Sequence, residues 1–116
     1  MAKIKFSQLA YLDLEQLGDY ISENLHSPIA ARNTVNRIQT AIDMLIDYPE
    51  FGAPLSSRNN IADGYRFLVC GSYLAFYRFV DDCVYIDRIL YGRRDYMRIL
   101  FGNILDKDAD DVDQTK

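Results

Sequence analysis

Three apolar runs, YRFLVC, YLAFYRFV and CVYIDRILY, follow one another over Tyr65–Tyr91 with only Gly71-Ser72 and Asp81-Asp82 between them. Aromatic and β-branched residues fit a pleated, half-buried surface. Two-residue links between such runs admit little except tight hairpins. A β-meander is therefore expected, with strands over Tyr65–Cys70, Tyr73–Val80 and Cys83–Tyr91. If Asp81-Asp82 is a two-residue turn, Arg78 and Asp87 become diagonal neighbours on one face and can form an ion pair. Arg66, Tyr77 and Arg88 then share the opposite face, and a slip of one residue would reverse both assignments.

Upstream, Ala2–Phe6 alternates and reads as one strand. Ser7 offers an N-cap, and Ala10, Leu14, Leu17 and Ile21 recur at helical spacing up to about Asn24. Asp13, Glu15, Asp19 and Glu23 occupy the other sides of that helix and read as a solvated acidic face. Ser27-Pro28 restarts a helix, since proline fits the first helical position. Ala31, Val35, Ile38, Ile42 and Leu45 keep the rhythm to about Tyr48, where Pro49 stops it. So short a link at Leu25-His26 favours an antiparallel helical hairpin, and His26, the single histidine, reads as a solvated loop residue. Glu50–Gly64, with Arg58 its one cation, reads as a loop. A short amphipathic helix is expected from Asp95 to about Leu105, with Tyr96, Ile99 and Leu100 packing and Arg98 exposed. The fold class is α+β: a small antiparallel sheet against a helical hairpin, in the order β-α-α-β-β-β with a short C-terminal helix.

The chain is the size of one domain: 1–105 forms the folded body, and 106–116 an acidic tail in which five Asp face two Lys. The net charge of −4 argues against a general polyanion binder, although residues 51–105 hold seven Arg against five Asp. All the basic charge there is arginine, suited to bidentate contacts with phosphate or carboxylate. Cys70 and Cys83 read as buried apolar residues, not a disulfide framework or metal site. No apolar run is long enough to span a membrane, and the cytoplasm is the expected compartment. The phosphate-loop, dinucleotide and zinc patterns are missing, and a nucleophile–histidine triad would have to recruit His26 from the helical turn. No cofactor and no metal are expected. What remains is arginine and tyrosine on a curved sheet, either a core with surface cations or a site that binds phosphate and stacks on bases.

Four segments, in this order and spacing, carry a resemblance: LIDYPEFGAPL (Leu45–Leu55), GYRFLV (Gly64–Val69), YLAFYRF (Tyr73–Phe79) and RILYGRRDY (Arg88–Tyr96). Together they resemble the RelE/ParE superfamily of bacterial type II toxin–antitoxin toxins over about residues 2–103. The resemblance implies a sheet against a helical hairpin. It also implies a cognate ParD- or RelB-like antitoxin encoded beside the gene, which neutralises the toxin and through which alone the toxin meets operator DNA.

Superfamily members divide by target. RelE-like members cut messenger RNA on the ribosome, and carried over to this chain their chemistry falls on Arg66, Arg94 and Tyr96. Leu68 and Leu74 stand where such enzymes tend to carry cations, and Leu100 where a catalytic tyrosine is expected. No lysine lies between Lys5 and Lys107. ParE-like members instead poison DNA gyrase without nuclease chemistry. The YPEFG exit, the FYR strand and the GRRD closure look closer to these. The favoured expectation is a gyrase-directed toxin that contacts its target through Arg93, Arg94, Tyr96 and Arg98. The alternatives are a ribosome-dependent endoribonuclease and a weakly toxic module that only binds antitoxin. The antitoxin is expected to contact Arg66, Tyr73, Tyr77, Arg78 and Arg88, an amphipathic helix lying in the groove beside the sheet.

Overall fold

The computed structural model describes residues 1–55, 64–92 and 99–100. Strand β1 (Lys3–Phe6) leads into helices α1 (Gln8–Asn24) and α2 (Pro28–Asp43), a 3₁₀ turn (Met44–Ile46), then β2 (Ala53–Pro54), β3 (Tyr65–Cys70), β4 (Tyr73–Val80) and β5 (Cys83–Tyr91). Ile99 and Leu100 are helical; the rest of the helix expected over 95–105, the 56–63 part of the expected loop with Arg58, and the 106–116 tail lie outside the described residues.

Both predicted caps form. The Ser7 hydroxyl accepts from the Ala10 N–H at 2.9 Å, and Ser27 accepts from Ala30 at 3.1 Å. Ala10, Leu17 and Ile21 of α1 and Ala31, Ile38 and Ile42 of α2 are buried against each other and the sheet. The second helix stays α-helical only to Asp43 and tightens into the 3₁₀ turn before Pro49. Proline lacks an N–H and crowds its predecessor out of the helical region, so the last turn cannot propagate.

The sheet has the order β1-β5-β4-β3-β2. Both meander turns are two residues long, as their register shows. Asp81 and Asp82 sit at φ 51° and 63°, the doubly left-handed geometry of a hairpin turn that aspartate tolerates. Gly71, at φ 63°, takes the first place of the other turn. Two features depart from expectation. β1 pairs parallel with β5, Lys3 opposite Cys83 through Phe6 opposite Ile86, so the sheet is mixed and not purely antiparallel. A two-residue strand, β2, adds an edge beside β3 where a loop is expected, and its Pro54 stops it from growing.

A third departure sits inside β5. Tyr77 pairs with Ile86 but Phe76 pairs with Arg88, which makes Asp87 the extra residue of a β-bulge. Leu68, Cys70, Ala75, Tyr77, Val84 and Ile86 join the helix-side core, and beyond the bulge it is Ile89 that does so. The bulge also takes Arg88 out of the row with Arg66 and Tyr77. On the opposite face Leu55, Phe76 and Leu90 form a second buried cluster, with Tyr65, Phe67, Leu74, Ile99 and Leu100 packed on it.

Gly52 ties the helical layer to β3 and β4. A Cβ there would lie 2.6 Å from the Tyr77 hydroxyl and 2.7 Å from the Phe67 carbonyl. Gly52→Ala is expected to cost about 1–3 kcal/mol through overpacking, read as a lower urea midpoint at unchanged slope.

Candidate functional site

The three arginines of the described strands all have partners inside the chain. Arg88 makes a two-pronged contact with Asp13 of α1, at 2.8 and 2.9 Å, and the same carboxylate accepts the Ile89 N–H at 2.9 Å. β1 stops opposite Ile86, so past that point β5 has no strand neighbour on this edge among the described residues, and Asp13 supplies an acceptor. Ser7 adds a bond from its hydroxyl to the Asp87 carbonyl at 2.7 Å, joining the start of α1 to the bulge. Asp13 is therefore no member of a solvated face: its side chain is only 9% exposed.

On the other side of the sheet Arg78 contacts Asp87 at 3.0 and 3.4 Å, the pair anticipated from the two-residue turn. Its guanidinium lies between the rings of Tyr65 and Tyr85, at 5.6 and 5.5 Å, and Lys5 stands over Tyr85 at 5.9 Å. These four residues form one row across β3, β4, β5 and β1.

Arg66 serves the chain exit from the helices, donating to the carbonyls of Gly52 at 2.8 Å and Glu50 at 3.2 Å. Tyr77 does related work: its hydroxyl donates to the Pro49 carbonyl and accepts from the Gly52 N–H, each at 2.9 Å. Tyr77 is fully buried, so it offers a partner no surface and the expectation of an antitoxin contact there is corrected to a core role. Leu68 is buried in the helix-side core, and Leu74 packs on the second cluster. Arg93, Arg94, Tyr96 and Arg98 lie outside the described residues.

None of the shifted tyrosines moves toward neutrality. Burial, then the hydrogen bond to Asp87, raises the Tyr65 pKa. Burial raises Tyr77 against the opposing Gly52 hydrogen bond, and burial followed by the neighbouring Tyr91 and Tyr20 raises Tyr73. The Cys70 thiol is pushed up to about 11 by burial. Phenols and thiols shifted this way stay protonated near neutral pH and make poor bases or nucleophiles. Among the described residues no cluster of His, Cys, Asp and Glu could hold a metal, and no helix is long and apolar enough to cross a membrane.

A groove of about 480 Å³ opens between α1 and the last residues of β5, lined among others by Asp13, Leu17, Tyr20, Tyr73, Ile89 and Tyr91. The Tyr73 and Tyr91 rings meet edge-on, 5.7 Å between centroids. Its walls are apolar with phenol tips, a composition suited to a protein segment.

Residues 4–96 match the model of the ParE toxin of the type II toxin–antitoxin system parDE. The chain belongs to this toxin family. It is 34% identical over 94 residues to Toxin RelE2 of Caulobacter vibrioides, covering 81% of this chain and 99% of that protein. Its fold resembles a chromosomal ParDE TA system from P. aeruginosa (TM-score 0.66, 22% identity, 78% of this chain and 96% of the other). It also resembles the toxin–antitoxin complex RelBE2 from Mycobacterium tuberculosis (TM-score 0.55, 22% identity, the same coverage). As a toxin of the RelE/ParE superfamily, the chain has a cognate antitoxin as its expected partner.

Within this toxin the ion pairs of Arg78 and Arg88 separate by burial. Asp13 escaped sequence reasoning because it sits in a row of helix acids and its partner is 75 residues away. The one available signal was its position on the helix, beside the apolar stripe and not opposite it. Asp13→Ala strands Arg88 and the Ile89 N–H and is expected to cost about 3 kcal/mol. Arg78 is 42% exposed, so Arg78→Ala is expected to cost no more than about 1 kcal/mol. Equilibrium urea unfolding of the two variants checks the contrast.

Proposed function

We propose that this toxin acts as a ParE-type inhibitor of DNA gyrase, neutralised by its cognate antitoxin. The observation that carries the reading is how the described cations are used. Arg66, Arg78 and Arg88 each hold a part of the fold, and the sheet face away from the helices is filled by Phe67, Leu74, Phe76 and Leu90. Cleavage of RNA by its own 2′-hydroxyl needs preorganised charge around the scissile phosphate. Each missing donor of that kind removes about 2.7–4 kcal/mol of transition-state stabilisation. The match to the ParE toxin model supports the same target.

Target contact falls to the segment after β5, through Arg93, Arg94, Tyr96 and Arg98. For the antitoxin, Tyr73 is the contact named from sequence that lines the groove. The second reading, a ribosome-dependent endoribonuclease using Arg66, Arg94 and Tyr96, is favoured by the 34% identity to Toxin RelE2.

Purified toxin added to gyrase and supercoiled plasmid is expected to trap cleaved DNA. Arg93→Ala/Arg94→Ala is expected to need at least about tenfold more protein, equivalent to about 1.4 kcal/mol of binding. Intact plasmid together with transcripts cut within translated codons, in a translating extract, would transfer the toxin to the second reading.

A further inference from the structure

Large apolar side chains stand in solvent where the chain leaves its helices. Met44, Tyr48 and Phe51 are 41%, 63% and 60% exposed, although Leu45 among them is fully buried. The backbone that carries them is firmly tied. The Tyr48 N–H donates to the Met44 carbonyl at 3.0 Å, which sets these two residues one helical turn apart on one side. The Phe51 N–H donates to the Tyr48 carbonyl at 3.0 Å. From beneath, the buried Tyr77 hydroxyl holds Pro49 and Gly52, and Arg66 holds the carbonyls of Glu50 and Gly52. A turn held at so many points presents its aromatic rings to a partner with little left to order on binding.

The charge around these rings has one sign. Asp43, Asp47 and Glu50 are exposed, and no lysine or arginine lies between Arg37 and Arg58. Asp43–Phe51 therefore carries a formal charge of −3, three acids and no base. Neither ion pair among the described residues uses these carboxylates; Asp43 accepts a bond from Gln39 at 3.4 Å, and Arg66 reaches the Glu50 carbonyl, not its carboxylate. A nucleic-acid backbone would be repelled here. Lysine or arginine would be attracted, its head paired with a carboxylate and its stem or guanidinium lying on a ring.

This surface is separate from the groove beside α1. Ile46 accepts the Ala2 N–H at 2.9 Å and Asp82 accepts the Lys3 N–H at 3.1 Å, so the exit starts near the β4–β5 turn. The groove opens at the other end of β5, beside Ile89–Tyr91, and no residue of Asp43–Phe51 lines it. An enzyme that handles DNA carries lysine and arginine where it holds the phosphates. We propose that Met44, Tyr48 and Phe51, with Asp43, Asp47 and Glu50 around them, form a second target contact that docks on a lysine- and arginine-bearing surface of gyrase and leaves the groove to the antitoxin. This rests on the gyrase reading and adds to it a contact distinct from the segment after β5, with its chemistry.

The test measures binding of the full-length toxin to purified gyrase, and in parallel to the antitoxin encoded beside its gene. Tyr48→Ala/Phe51→Ala is expected to bind gyrase at least about tenfold more weakly, and Tyr48→Phe to bind as the wild type does, since the ring is kept. Asp47→Lys/Glu50→Lys is expected to lose about tenfold as well, and added salt to weaken the wild-type complex with gyrase. Both double variants are expected to hold the antitoxin as tightly as the wild type, which also shows that they fold. Undiminished gyrase binding by both would overturn the inference and leave the gyrase reading in place. Weak binding after ring removal with full binding after charge reversal would overturn the basic partner surface. Antitoxin binding weakened alone, or as much as gyrase binding, would overturn a surface reserved for the target. No binding of wild-type toxin to gyrase would overturn the reading itself, and the inference with it.

Discussion

The carboxylate of Asp13 is the point on which the two layers of this toxin meet. It holds Arg88, takes the Ile89 N–H, and thereby completes a strand edge that β1 is too short to cover. The bulge at Asp87 makes this geometry available. Neighbouring residues of β5 make different contacts, Asp87 binding Arg78 across the sheet and Arg88 reaching Asp13 of a helix. A regular strand would place consecutive residues on opposite faces. The extra residue matters because it changes parity midway, so Val84 and Ile86 before it and Ile89 after it all reach the same core. The cost of the bulge is a stretch of ladder that must find other partners, and Ser7 and Asp13 supply them.

That arrangement bears on function through what it consumes. Arginine is the residue expected to recognise phosphate in such a fold, yet the three described strand arginines are spent on structure. Arg66 and the buried Tyr77 hydroxyl together fix the Pro49–Gly52 exit from the helices. The sheet face that would otherwise be open is an apolar cluster reached by Ile99 and Leu100. A ParE-type toxin needs such a scaffold to present a binding segment, whereas a nuclease needs charge gathered around one phosphate.

Much of the fold was legible because it follows from local rules. The apolar periodicity of both helices, the Ser7 and Ser27 caps, and the strand limits set by Gly71-Ser72 and Asp81-Asp82 depend on residues a few positions apart. The Arg78–Asp87 pair was legible for the same reason, since a two-residue turn sets its register. Long-range features were not. The parallel pairing of β1 with β5, the parity change at Asp87 and the contact of Asp13 with Arg88 each join parts of the chain that no local pattern connects. The site suffered most: Tyr77 reads as a surface aromatic in an alternating strand, and only the path of the Pro49–Gly52 segment over it makes it core.

The most direct test of the central claim is pulse labelling of new DNA and new protein after the toxin is induced without its antitoxin. A scaffold whose strand arginines serve the fold, and which acts on gyrase, predicts that DNA synthesis fails first while protein synthesis continues. Protein synthesis stopping first, with DNA synthesis persisting, would contradict it.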